Sequence, residues 1–229
     1  SRQPAHDCAD RHIEYLCHLD VGTTLEVDQR NYLALPHGHP FNNVFPGYYW
    51  TSDTCSLLPD QAWYLHLGGG RIFRGMKHGS YLIWPVIISA QTSSELTAER
   101  FSTAGPLRFD HDNKLTWLFD DPYFKSPLSW ADAIKVTRKM NHEKRYGCSR
   151  WRLPNIRELE NLVDINQHSP AILQSLTQSE IKLGYWSSTT SVYEPRYAWV
   201  LYTRDGEVGV GFKRNPDFFM VALTDEHPR

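Results

Sequence analysis

The stretch that most restricts the possible folds is Trp151-Arg152-Leu153-Pro154-Asn155-Ile156-Arg157-Glu158-Leu159-Glu160-Asn161-Leu162-Val163-Asp164. Pro154 ends an extended segment, Asn155 is a residue type that caps helices, and Ile156, Leu159, Leu162 and Val163 recur at helical spacing. The stretch therefore reads as a strand entering a helix with one apolar face. Downstream, Tyr185-Trp186-Ser187-Ser188-Thr189 and Ala198-Trp199 open two further strand-like segments. The alternation from Val208 through Val210 to Phe212, after the turn at Asp205-Gly206, closes an antiparallel hairpin.

The same landmarks occur earlier at a constant offset. Tyr49-Trp50-Thr51-Ser52 stands over Tyr185-Trp186-Ser187-Ser188, and Ala62-Trp63 over Ala198-Trp199, both 136 residues apart. The offset continues through Tyr64–Gly70 and is expected to reach Leu82–Val86 set against Phe218–Ala222, so the chain reads as an internal duplication. At the start of the first copy, Arg11 to Leu16 keeps the arginine and apolar positions of Arg157 to Leu162 in a helix expected over residues 10–19. The second copy alone has an opening hairpin near Phe109–Trp117. A helix follows, capped by Ser129, lined by Ala133, Ile134, Thr137 and Met140, and stopped by Gly147.

Trp-Arg-Leu-Pro before a helix with Glu158-Leu159, then Tyr-Trp-Ser-Ser, then an aromatic hairpin resembles the family named after the C-terminal domain of the Legionella collagen-like adhesin. The loop Leu35-Pro36-His37-Gly38-His39-Pro40-Phe41 is similar to one that precedes the family's Tyr-Trp-Ser-Ser strand. The resemblance implies an α+β, C-type-lectin-like fold of antiparallel hairpins with flanking helices, here internally duplicated. Residues 1–88 are expected to form a reduced first copy, 89–105 a linker and 106–229 a complete second copy. It also implies an exported, non-enzymatic recognition or adhesion protein at the cell surface or in the envelope, with sulfated glycan as the ligand of the named relative.

Composition limits the alternatives. With 229 residues, 41% hydrophobic and 22% charged, the chain can bury one large or two small cores. No apolar run approaches the roughly 20 residues of a membrane span, and Ser1-Arg2-Gln3-Pro4 carries no signal pattern. The net charge of −2 speaks against bulk binding to nucleic acid. Residues 1–105 hold 7 Lys and Arg against 10 Asp and Glu, and residues 106–229 hold 17 against 16, so the second half suits an anionic partner better.

Candidate chemistry is sparse. His37-Gly38-His39 has no third ligand at a metal-binding spacing, and His6, His12 and His18 do not share a helical face. Arg196 in Glu194-Pro195-Arg196 would repel the calcium held by sugar-binding C-type lectins. No cysteine follows Cys148, which leaves an oxidase of the formylglycine-generating kind, a third reading, without its nucleophile. No catalytic residue, metal or cofactor is therefore assigned. Cys8, Cys17, Cys55 and Cys148 allow up to two disulfides in three pairings or buried thiols, and Cys17 with Cys55 is the expected pair within the first copy. Trp50, Trp186, Trp63 and Trp199 are assigned to core positions in preference to sugar stacking.

The ligand surface, if one exists, is placed on the second copy around Arg196, Tyr197, Arg204, Lys213, Arg214 and Asn215. Set against the first copy, Arg196 replaces Asp60, Arg204 replaces Gly68 and Arg214 replaces His78. Clustered guanidinium groups match the paired oxygens of sulfate or carboxylate. A solvated strand face with salt bridges to Glu194, Glu207 and Asp217 is the competing reading of the same residues. For the whole protein the alternative to anionic-glycan recognition is a structural subunit that packs into an envelope or extracellular fibre, as an oligomer or larger assembly.

Overall fold

The computed structural model describes residues 40–67, 71–85, 100–164, 166–172, 181–191 and 194–228, together with Leu35 and Leu176. The expected helix over 10–19, His37-Gly38-His39 and Gly68-Gly69-Gly70, where the sequence suggests a hairpin turn, lie outside them. The chain divides into two compact units, Ser1–Thr92 and Ser93–Arg229.

In the second unit, β4 (Phe101–Ala104), β5 (Leu107–Asp110), β6 (Leu115–Leu118) and β10 (Ala222–Thr224) form an antiparallel sheet in the order β10-β6-β5-β4. Residues 101–105, read from sequence as linker, are thus a paired strand and its turn, with Phe101 opposite Asp110 and Gly105 at φ +60°. A second sheet comprises β7 (Gly184–Thr190), β8 (Tyr197–Tyr202) and β9 (Val208–Phe212). Side chains alternate between the faces of a strand, and both faces of this sheet are apolar. On one face Tyr185, Trp199, Leu201 and Val208 join a core with Ile156, Leu159 and Leu162. On the other, Trp186, Ala198 and Val200 join Ala133, Met140, Trp151 and Leu153.

The helices that cover these faces are short and well capped. Helix α1 (Trp130–His142) begins at Ser129, whose hydroxyl accepts from the Asp132 amide at 3.2 Å. It ends at His142, five residues before the expected stop at Gly147, because Lys144 turns the backbone to φ +46° ahead of a 3-10 turn over Arg145–Gly147. Helix α2 (Ile156–Glu160) is a little more than one turn, although the apolar spacing extends to Val163. Asn155 and Glu158 cap it reciprocally: the Glu158 amide donates to Asn155 Oδ1 at 2.9 Å, and the Asn155 amide to Glu158 Oε2 at 2.7 Å. Arg152 clamps the same carboxylate at 2.8 and 2.6 Å, and the Ile156 amide donates to Thr189 Oγ1 at 3.0 Å. The Trp-Arg-Leu-Pro segment is therefore bolted to both the helix start and strand β7.

The first unit carries a three-stranded antiparallel sheet of β1 (Tyr48–Thr54), β2 (Gln61–His66) and β3 (Arg71–Met76). Its register repeats that of β7-β8-β9 with the 136-residue offset: Tyr49 faces Leu65 as Tyr185 faces Leu201, and both first strands are irregular between the equivalent positions Trp50/Thr54 and Trp186/Thr190. Inside both irregularities a hydroxyl bonds across to a tryptophan carbonyl, Thr51 to Trp63 at 3.0 Å and Ser187 to Trp199 at 2.8 Å. The offset then slips by one. Leu82 bridges Tyr49, whereas Phe219 bridges Tyr185, because the turn from Lys213 through Pro216 is one residue longer than that after Lys77. Leu82 is therefore matched with Phe219, where an ungapped comparison gives Phe218.

Cys55 and Cys148 are buried free thiols. The expected Cys17–Cys55 bridge is not formed, and Cys17 lies outside the described residues. Cys55 directly follows β1, its amide donating to the Gln61 carbonyl just as the Ser191 amide donates to Tyr197. Trp63, Trp186 and Trp199 are buried, whereas Trp50 is only half-buried.

Two outcomes follow for stability. Replacing Asn155 by alanine leaves helix amides unsatisfied and should cost about 1 kcal/mol or more in urea unfolding. Asp110 is pushed up by burial, but the Arg100 guanidinium at 2.8 and 3.2 Å and the Asn113 amides outweigh this and hold its carboxyl below the ordinary value. Such a depressed carboxyl stabilises the fold above its unfolded pKa of about 3.9, and that contribution is lost as pH falls through the folded value. Melting temperature should therefore decline below about pH 4, and Asp110→Asn should lower stability at pH 7 while flattening that acid limb.

Candidate functional site

The end of the β7-β8-β9 sheet at Thr190, Arg196 and Lys213 gathers most of the residues assigned to a ligand surface. The Lys213 amide donates to the Arg196 carbonyl at 3.0 Å, which closes the β8-β9 ladder and brings these two residues together. Arg214 and Asn215 follow in the turn, the Asn215 amide donating to Phe212 at 3.0 Å, and both side chains are exposed. Tyr197 is half-buried, its ring 5.3 Å from that of Phe212.

Arg204 does not belong to this group. It lies in the turn after β8, and the six residues Tyr197–Tyr202 of that strand separate it from Arg196 by roughly 20 Å at about 3.3 Å per residue. The sequence offset showed that cations were gained but not that they sit at opposite ends of one strand. Arg204 there lies 3.5 Å from Asp205.

At the near end the cations differ in availability. Lys213 folds inward: its Nζ donates to Thr190 Oγ1 at 2.7 Å and lies 4.3 Å from the centre of the Trp130 ring. Burial there pushes its pKa down. Lys213 thus ties the hairpin to α1. Arg196 is exposed and forked onto Glu194 at 3.0 and 2.8 Å, and these hydrogen bonds hold the Glu194 carboxyl down at about 2. The pair is fully ionised at neutral pH, so an incoming anion must compete with Glu194. Arg214 is exposed and forms no ion pair among the described residues. Sequence reasoning missed Trp130, whose aromatic face receives Lys213. The only available signal was that it immediately follows the helix cap Ser129.

The thiol chemistry needed for an oxidase is disfavoured at Cys148. Burial, reinforced by the charge of Glu226, pushes this thiol up to about 11. Among the described residues no three His, Cys, Asp or Glu side chains are grouped to hold a metal ion, and no helix is long and apolar enough to cross a membrane.

These features define an antiparallel α+β module in which a capped Trp-Arg-Leu-Pro junction packs beneath a two-faced hairpin sheet, with a basic turn at one end. The sequence model of the Lcl C-terminal domain matches residues 108–222, half of the chain, and the chain belongs to that family. The structural unit extends beyond the match on both sides, through β4 before it and Thr224 to His227 after it. No curated protein matches the chain.

Cys148 is buried and its thiol is pushed up to about 11, so iodoacetamide should label it only after denaturation. Rapid labelling of Cys148 in the native protein, located by mass spectrometry, would contradict this assignment.

Proposed function

We propose that this chain is a non-enzymatic recognition protein of the cell surface or envelope that binds anionic glycans through the basic turn of its second unit. Membership of the Lcl C-terminal domain family supports an adhesin-like surface protein. The observation that carries the ligand class is Arg214, exposed and without an ion pair among the described residues, beside the exposed Arg196. Guanidinium groups offer paired donors to sulfate and carboxylate oxygens. A local basic turn lets a chain of net charge −2 hold such ligands.

The reading includes a C-type-lectin-like arrangement and a second, reduced copy of the domain in the first unit. Its support is the common register of β1-β2-β3 and β7-β8-β9, with equivalent hydroxyl-to-carbonyl bonds inside the strand irregularities.

Chromatography of the intact chain on immobilised heparin provides the test. The protein should be retained and eluted by salt, and Arg196→Ser with Arg214→Ser should move elution to lower salt without a large change in melting temperature. Arg204→Ser should have a much smaller effect. Glu194→Gln should delay elution, because it removes the carboxylate that competes for Arg196. Passage of the unaltered protein through the column would favour a structural subunit instead.

A further inference from the structure

The two sheets differ most on the face turned toward α1 in the second unit. There Trp186, Val200, Phe218 and Met220 enter a core with Ala133 and Met140, and the flanking positions on the same face are Gly184 and Gly209. In the first unit the corresponding residues are Trp50, Tyr64, Tyr81 and Ile83, with Tyr48 and Phe73 in place of the two glycines. Among the described residues of the first unit no helix covers this face. Tyr48 is 48% exposed and Ile83 75%, whereas the matching Met220 is 1% exposed.

The exposed face is an organised aromatic platform. The Tyr81 ring lies 4.0 Å from that of Trp50, 4.9 Å from that of Tyr64 and 6.2 Å from that of Tyr48, centre to centre. It fits flush because residue 75 is glycine: a Cβ there would occupy the space of the Tyr81 hydroxyl. Tyr64 contacts Phe73 with ring centres 6.0 Å apart, and Tyr48 stacks on His66 at 4.4 Å. The mutual contacts fix the rings before any ligand arrives, which lowers the entropy cost of binding.

We infer that this face binds a neutral oligosaccharide by stacking of its sugar rings. Rings now stand at the positions of Gly184, Val200 and Gly209, and with no helix over them among the described residues the face presents a broad surface. None of the six side chains is charged, and Arg71, opposite His66 in register, stands at the hairpin end. The negative π faces complement the polarised C–H faces of sugar rings, and the tyrosine hydroxyls provide polar tips for sugar hydroxyls. This site goes beyond the basic turn of the second unit and does not depend on it.

Saturation-transfer NMR on the intact chain with cellohexaose, maltohexaose and chitohexaose tests the assignment. Saturation of the protein aromatic protons should reach the ring C–H protons of at least one hexasaccharide. Tyr48→Ala, at an exposed position, should weaken that binding about fivefold or more while circular dichroism is retained. Arg196→Ser with Arg214→Ser should leave it unchanged, which separates this site from heparin retention. Absence of transfer to all three sugars would overturn the proposal, as would undiminished binding by both Tyr48→Ala and Tyr64→Ala. Sedimentation showing self-association that Tyr48→Ala abolishes would assign the face to a second copy of the chain and equally overturn it.

Discussion

A three-stranded sheet with large apolar side chains on both faces must be covered on both, and the second unit is arranged around that requirement at β7-β8-β9. Trp186 points one way and Tyr185 the other, so adjacent residues commit the chain to two separate core layers. Helix α2 and the segment through Leu162 meet the Tyr185 face, while α1 meets the Trp186 face. The indole donors of Trp130 and Trp186 reach the carbonyls of Ser187 and Leu128 at 2.8 and 2.7 Å, so this cover is hydrogen-bonded as well as packed. Many polar groups that enter the core have a specific partner, as the cost of burying an unpaired donor or acceptor requires, although the buried indole donors of Trp63 and Trp117 have none among the described residues.

The same rule accounts for the buried carboxylates outside the basic turn. Asp110 receives the Arg100 guanidinium, and that side chain also donates to the Asn161 carbonyl at 2.8 Å, joining the first hairpin of the unit to the end of α2. Asp121 takes Arg145 Nε at 2.6 Å, the Tyr146 hydroxyl at 3.0 Å and the Tyr123 amide at 2.8 Å, securing the approach to α1 against its exit. These charges are committed to loop geometry. The contrast with Arg214 gives the basic turn its functional interest.

Much of this was legible in residues whose local chemistry coincides with their tertiary role. Ser129 and Asn155 mark helix starts because an unsatisfied amide needs an acceptor wherever the helix lies, and Ala133, Thr137 and Met140 keep their helical spacing because one face is buried. The chain was less legible where long-range partners decide the outcome. Val163 continues the apolar pattern of α2 but pairs with Ile172 instead, so the helix ends early. Phe101–Ala104 has little apolar content to announce a strand, yet β5 supplies its ladder. The candidate site divided for the same reason. Charge gains could be counted from the offset, whereas the separation of Arg204 from Arg196 depends on which end of β8 each occupies, and the inward turn of Lys213 depends on Trp130.

The connection between the first two strands of each sheet is closed in the same way. The Cys55 amide donates to Gln61 and the Gln61 amide to Leu58, as the Ser191 amide donates to Tyr197 and the Tyr197 amide to Glu194. Both clasps use main-chain groups alone at both ends. Asp60 and Arg196 show opposite charges carried at the same post of this main-chain frame. The charge displayed at that post thus differs between the two sheets while the main-chain clasp beneath it stays the same.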